Sequence, residues 1–257
     1  MLERDASVFV TGATGGIGAV LVDQLRVRGS RVYACGRDAE RLAQLNVVPV
    51  LADLSVPSML ATALDNADLG LARLDALVHL AGVIGLSSVA ETTVEEWERH
   101  LAVNLTAAAE LTRLLLPALR AAQGRVVFVN STAGRSANPE RAAYAASKFG
   151  LRALADSLRA EEIGYGVRVT TLYPGRVATP MQQQVCDEEG TVYDAGRFLS
   201  PEAVAETIMM VLDAPATAQL TELELRPMAV PNMHRIAPEG RTRHAVPAQR
   251  HIISEPV

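Results

Sequence analysis

Between Ser7 and Leu225, short β-rich apolar runs alternate with longer segments of helical periodicity. Strands separated in this way by helices lie side by side in parallel, and the helices return the chain over both faces of the sheet. The runs predict strands at Ser7–Val10, Arg31–Cys35, Val47–Leu51, Ala76–Leu80, Gly124–Asn130, Val167–Leu172 and Leu220–Leu225. Helices are expected at Gly16–Arg28, Asp38–Gln44, Ser55–Leu64 and Ala142–Ile163. Thr93-Val-Glu-Glu96 has the form of a capping box and opens a long helix through Leu105, Leu111 and Leu115 to Leu119. Ser200-Pro201-Glu202 starts another, with a serine cap and a proline at the first helical position, running to Leu212. The expectation is an α/β fold, a single doubly wound parallel sheet of about seven strands over residues 1–228. Residues 229–257, with Pro231, Pro238, Pro247 and Pro256, read as an irregular C-terminal tail.

A chain of 257 residues that is 49 % apolar can fill the core of one such domain. A net charge of −5 gives no electrostatic reason to propose a nucleic-acid partner. No apolar run reaches the roughly 20 residues needed to cross a bilayer. The opening Met-Leu-Glu-Arg-Asp lacks the basic-then-apolar layout of a signal peptide. Cys35 and Cys186 are far apart and form no metal or redox spacing. Together these predict a cytoplasmic protein with no bound metal and no membrane partner.

Thr11-Gly-Ala-Thr-Gly-Gly-Ile-Gly18 lies between the first strand and the first helix. Gly12 permits a tight turn, Gly16 lets a ligand approach the backbone, and Gly18 lets the helix pack close to the sheet. With Ile17, these residues open a helix whose N–H groups and dipole suit a pyrophosphate. No Gly-Lys-Ser/Thr follows, which disfavours a nucleoside-triphosphate loop. Where a carboxylate after the second strand would bind a ribose 2′-hydroxyl, this chain has Gly36-Arg37. A guanidinium there pairs with a 2′-phosphate, so the expected cofactor is NADP(H). Asp53-Leu54 ends the third strand; the aspartate either accepts a bond from adenine or caps the Ser55 helix. Leu80-Ala81-Gly82 ends the fourth, where small residues let a cofactor lie against the backbone or simply make a tight turn. Pro174-Gly175-Arg176-Val177-Ala178-Thr179-Pro180-Met181 follows the sixth at the same C-terminal sheet edge, where open α/β sheets bind ligands.

Tyr144-Ala-Ala-Ser-Lys148 places a phenol and an ammonium one helical turn apart on one face. An ammonium beside a phenol favours phenolate and lowers a pKa that starts near ~10. Ser131, after the fifth strand, supplies a hydroxyl beside them. Singly these residues are commonplace; their joint placement points to proton transfer at a hydroxyl or carbonyl. The segment Gln182–Leu199, with few apolar anchors, is expected to form a loop over the substrate. At least two of Arg135, Arg176 and Arg197 are expected to be solvated.

These features resemble the short-chain dehydrogenase/reductase family from Ser7 to Arg226. Thr11–Gly18 matches its cofactor turn, Tyr144–Lys148 its Tyr-x-x-x-Lys motif, Ser131 its substrate-polarising serine, and Asn104 the asparagine of its catalytic tetrad. Pro174–Met181 matches its Pro-Gly-x-Val-x-Thr segment, including Pro174, Gly175, Val177 and Thr179. His79-Leu80-Ala81-Gly82 departs from the family's Asn-Asn-Ala-Gly. The region before Ser200 and the last strand are similar to bacterial NADP-dependent hydroxy-acid dehydrogenases of the family. The resemblance implies a Rossmann-type oxidoreductase moving hydride between NADP(H) and a carbonyl/alcohol pair. It implies Tyr144 as general acid/base and Ser131 as the oxyanion donor. Lys148 would bind the nicotinamide ribose, Asn104 would hold a relay water, and Val177 and Thr179 would touch the carboxamide. It further implies a homotetramer in which Leu105, Leu111, Leu115, Phe149 and Leu158 contribute apolar surface. The competing readings are a cofactor-binding regulator without turnover and a lyase or epimerase on the same scaffold.

Overall fold

The computed structural model describes residues 2–228. Seven parallel strands form one sheet in the order β3-β2-β1-β4-β5-β6-β7. They are β1 (Ser7–Thr11), β2 (Arg31–Gly36), β3 (Val48–Leu51), β4 (Ala76–His79), β5 (Arg125–Val129), β6 (Arg168–Pro174) and β7 (Glu222–Leu225). The order reverses between β1 and β4, leaving a crevice at their carboxyl ends. The expected strands are all present, with ends shifted by one or two residues.

Side chains alternate along each strand and so feed two cores. On one face Val8, Val10, Val78 and Val127 pack under α1 (Gly16–Val27) and α8 (Pro201–Leu212). On the other, Phe9, Tyr33, Leu77 and Phe128 pack under α3 (Leu60–Asn66), α5 (Ala107–Ala122) and α6 (Ala142–Glu162). The short α2 (Ala39–Ala43) is capped by Asp38.

Three expectations change. The helix expected from Ser55 begins instead as a 3-10 turn at Pro57–Met59 and becomes α3 at Leu60, because Pro57 has no N–H to continue a helix backwards. The long helix from Thr93 is present but is not α-helical throughout. The capping box forms and starts α4 (Val94–Leu101), but a π turn over Ala102–Thr106 separates it from α5. The loop expected over Gln182–Leu199 contains the end of α7 (Pro180–Glu188), which Thr179 caps and which buries Val185 and Cys186.

Of the side chains expected at a subunit interface, Leu111, Leu115 and Leu158 are buried in their own chain and Leu105 packs against the same core. Phe149 stays exposed. The tail expected over 229–257 lies outside the described residues. No helix among the described residues is long and apolar enough to cross a membrane.

Candidate active site

Gly12 turns the chain out of β1 with φ +70°, and a Cβ there would lie 2.8 Å from the Ala81 nitrogen. That position therefore requires glycine both for conformation and for contact with the end of β4. A Cβ on Gly18 would lie 2.1 Å from the Gly12 carbonyl oxygen. Gly18 thus lets the helix pack on the turn itself rather than on the sheet. Gly16 faces Thr179, whose Cγ2 would be 2.8 Å from a Cβ. The segment after β6 therefore closes directly over the first turn of α1.

The N-terminus of α1 has no side-chain cap and no acidic residue in its first turn. Its N–H groups and dipole are left for an anion, as a dinucleotide pyrophosphate requires. The Thr11 hydroxyl is buried and accepts from the Leu80 and Ala81 N–H groups at 3.1 Å each, so it ties β1 to the end of β4.

Arg37 is exposed at the end of β2. Arg41, which the sequence reading did not single out, reaches back from α2 and donates to the Thr14 carbonyl at 2.8 Å. Two guanidiniums thus lie on the β2 side of the glycine turn. Asp53 accepts from both the Ser55 N–H and the Ser55 hydroxyl at 2.8 Å. Those bonds, the backbone one first, hold its carboxyl below the ordinary value. Asp53 therefore closes a tight turn onto Ser55 rather than capping a helix, and its second oxygen has no hydrogen-bond partner among the described residues.

At the centre of the crevice Asn104 sits in the π turn, as such bulges often mark functional positions. Its Oδ1 accepts from the Val83 N–H at 2.8 Å. Its Nδ2 donates to the Val83 carbonyl and to Ser147 Oγ, both at 2.9 Å. Both amide hydrogens being used, Asn104 can hold a water only as an acceptor. A Cβ on Gly82 would lie 3.2 Å from that Oδ1 and 3.6 Å from Lys148 Nζ. The small residues after β4 therefore leave room beside the lysine. Lys148 is buried and donates from Nζ to the Val129 carbonyl at 3.3 Å. Its remaining donors are available to a ribose or a water.

Ser131 caps the 3-10 turn Thr132–Gly134, its Oγ accepting from the Ala133 N–H at 3.1 Å. That fixes the oxygen and leaves the hydroxyl hydrogen to donate. Asn130, also missed from sequence, holds this corner together. Its Oδ1 accepts from the Ser131 N–H at 2.8 Å and its Nδ2 donates to the Lys148 carbonyl at 3.0 Å. A buried asparagine closing an apolar strand directly before Ser131 was the available clue.

The electrostatics revise one expectation. Lys148 Nζ lies 5.9 Å from the centre of the Tyr144 ring, and burial raises the tyrosine above its ordinary pKa. The groups pulling it back towards phenolate are the Ser131 hydroxyl and the charge of Arg141. Lys148 is itself pushed down to about 8 by burial. Desolvation is thus the largest influence on both groups.

Arg135 is not a substrate group. It pairs with Glu222 and Glu224 on β7 at 2.6 and 2.9 Å and lies over the Tyr173 ring. Arg176 pairs with Glu189. Arg197 is exposed and has no carboxylate partner among the described residues. No cluster of His, Cys, Asp or Glu among the described residues could hold a metal.

The short chain dehydrogenase family pattern matches residues 6–190. An uncharacterized short-chain type dehydrogenase/reductase of Sinorhizobium fredii is 30% identical over 235 residues, covering 88% of this chain and 93% of its own. The crystal structure of an oxidoreductase of the short chain dehydrogenase/reductase family from Burkholderia thailandensis is 31% identical, with a TM-score of 0.76 over 87% of this chain and 92% of that one. An alcohol dehydrogenase from the archaeon Thermococcus sibiricus, complexed with 5-hydroxy-NADP, shares the fold at 22% identity with a TM-score of 0.78, covering 89% of this chain and 99% of that one. The chain belongs to the short-chain dehydrogenase family of oxidoreductases.

Proposed function

We propose that this oxidoreductase moves a hydride between NADP(H) and a carbonyl/alcohol pair, with Tyr144 as the general acid/base. The observation that carries the reading is the convergence of three elements on one point. Ser131 follows β5, Tyr144 and Lys148 stand on α6, and Asn104 occupies the π turn against Ser147, all on the carboxyl edge of the sheet from which the uncapped N-terminus of α1 also starts.

A dinucleotide would be held along the edge formed by Gly12, Gly16, Ile17 and Gly18, then Asp53-Leu54, Ala81-Gly82, and Pro174, Gly175, Val177 and Thr179. When bound, the nicotinamide supplies or accepts the hydride at the substrate carbon. The Ser131 hydroxyl donates to the carbonyl oxygen and stabilises charge developing there. In the reducing direction Tyr144 gives that oxygen its proton; in the oxidising direction it takes the proton back. Arg141 and Ser131 favour the phenolate, and Lys148 offers donors to the ribose and to a water held by Asn104. Arg37, joined by Arg41, favours a 2′-phosphate over a bare ribose. The proposal places the enzyme in the cytoplasm as a homotetramer, with Val94 and Phe149 the apolar side chains left exposed on α4 and α6 for another copy.

The test is nicotinamide absorbance with a panel of ketones and aldehydes. NADPH should be oxidised, and should bind more tightly than NADH. Replacing both Arg37 and Arg41 by glutamine should lower NADPH affinity by about ten- to a hundredfold while leaving NADH binding within a few-fold. Tighter binding of NADH by the unmodified enzyme would overturn the cofactor assignment. Substrate conversion with no net absorbance change would favour a lyase or epimerase.

A further inference from the structure

Two arginines from different elements converge on one carboxylate at the mouth of the crevice. Arg176, in the turn after β6, holds Glu189 through a two-pronged pair, with Nη1 and Nη2 at 2.8 and 2.5 Å from its two oxygens. Arg141, at the start of α6 and three residues before Tyr144, pairs with the same carboxylate. Glu189 stands at the C-terminus of α7, where the helix dipole disfavours an acid. The two arginines hold it there and keep its carboxyl below the ordinary value, the bond from Arg176 being the largest cause.

The pair is not equally enclosed. The Arg141 side chain is 17% exposed and that of Arg176 is 40% exposed. Arg176 and Glu189 also line a cavity of about 700 Å³ that runs to Thr132, the neighbour of Ser131. Arg197 stands on the wall of the same cavity. The cavity therefore runs from a guanidinium fork to the residue next to Ser131. Its cations outnumber its acids, since Arg176, Arg197 and Arg226 line it against Glu189 alone, with Arg226 also paired to Glu224 on β7. Gly190, with φ +63°, follows Glu189 directly and gives the chain a point of rotation at which no side chain resists.

We infer that Arg176 binds a carboxylate of the substrate and that Glu189 is the intramolecular occupant it displaces, so that the enzyme acts on an oxo acid or hydroxy acid. This rests on the oxidoreductase reading above. A planar carboxylate on the substrate reproduces the two-pronged pairing that Glu189 now makes. Glu189 stays with the better-enclosed Arg141 when it gives up Arg176. The bound acid then balances the excess positive charge of the cavity.

Matched pairs of 2-, 3- and 4-oxo acids and their methyl esters test this, since each pair presents the same carbonyl with and without the charge. The unmodified enzyme should prefer the acids in kcat/KM. Arg176→Gln should reduce the acid-over-ester ratio by about ten- to a hundredfold. Arg176→Lys, which keeps the charge and loses the fork, should fall between. Glu189→Gln should raise the ratio, because the internal competitor loses its charge. Equal use of acids and esters by the unmodified enzyme, or a fall in the ratio for Glu189→Gln, would overturn the inference while leaving the oxidoreductase reading intact. Should no carbonyl be turned over, that reading fails separately. Calorimetric binding of 4-oxopentanoate and its methyl ester then decides the anion site: acid-selective binding lost in Arg176→Gln supports it, and equal binding of the two refutes it.

Discussion

Lys148→Met should make the protein more stable and inactive. Burial takes the lysine from its ordinary 10.5 down to about 8 in the folded chain. At about 1.4 kcal/mol per pKa unit, holding the charge inside costs the folded state about 3 kcal/mol at pH 7. The sign follows from proton counting. Between about pH 8 and 10.5 the unfolded chain retains a proton that the folded chain has released, so stability rises with pH across that window. Below the window the full cost stands. Methionine fills a similar volume without the charge, and it gives up only the bond to the Val129 carbonyl, worth about 1 kcal/mol. The net gain at pH 7 is about 2 kcal/mol, a rise in Tm of roughly 4–8 °C for a domain of this size. At pH 10 most of the penalty has gone from the native enzyme, and the two proteins should melt together. Thermal and urea denaturation without cofactor, at both pH values, measure this. A variant no more stable than wild type at pH 7, or an advantage that persists undiminished at pH 10, would refute the reasoning.

Tyr144→Phe should leave the fold and dinucleotide binding in place and reduce kcat by at least the ~10²–10⁴-fold typical of a lost general acid; turnover within tenfold of wild type would remove Tyr144 from that role. Asn130→Ala should strand the Ser131 N–H and the Lys148 carbonyl, at about 1–3 kcal/mol each, and urea denaturation should show it. Because it acts by positioning, the same variant should also shift the pH–rate profile, which a purely structural loss would not do.

How far this could be read from sequence depended on whether the deciding interaction is local. The parallel sheet was legible because the inner strands are largely apolar on both faces and the helices between strands are periodic, although the edge strand β7, Glu222-Leu-Glu-Leu225, alternates. Gly12 was legible because its conformation is a property of the turn. The π turn within the long helix was not. Leu101, Leu105, Ala108, Leu111 and Leu115 keep an approximately helical spacing through Ala102–Thr106, and a π turn inserts one residue without altering composition. The helix in the expected loop was hidden for a related reason: Gln182, Val185 and Cys186 make a buried stripe too short to stand out from its polar neighbours. The proton-transfer electrostatics were misjudged in a third way. The spacing of Tyr144 and Lys148 fixes that they share a helix face, but desolvation depends on everything packed around them. Arg141 became visible only when Glu189, distant in sequence, was placed against it.

The His79 position shows how a departure from the family pattern is accommodated. The side chain is buried at the end of β4, where burial pushes its pKa down to about 3. It is therefore neutral at any pH at which the enzyme would work. Its Nε2 lies 2.8 Å from Thr112 Oγ1 on α5. The threonine hydroxyl donates its own hydrogen to the Ala108 carbonyl at 2.7 Å, so the imidazole must be the donor in this pair, and Nε2 carries its proton. The ring stacks on Phe128 of the neighbouring strand, with centroids 4.9 Å apart and planes at 11°. A polar residue thus satisfies its donor with a helix hydroxyl and its faces with an apolar neighbour, leaving Ala81, Gly82 and the Asn104 contacts to Val83 undisturbed. The substitution changes the packing behind the crevice and not the groups that face into it, which is why the proposed catalytic arrangement is compatible with it.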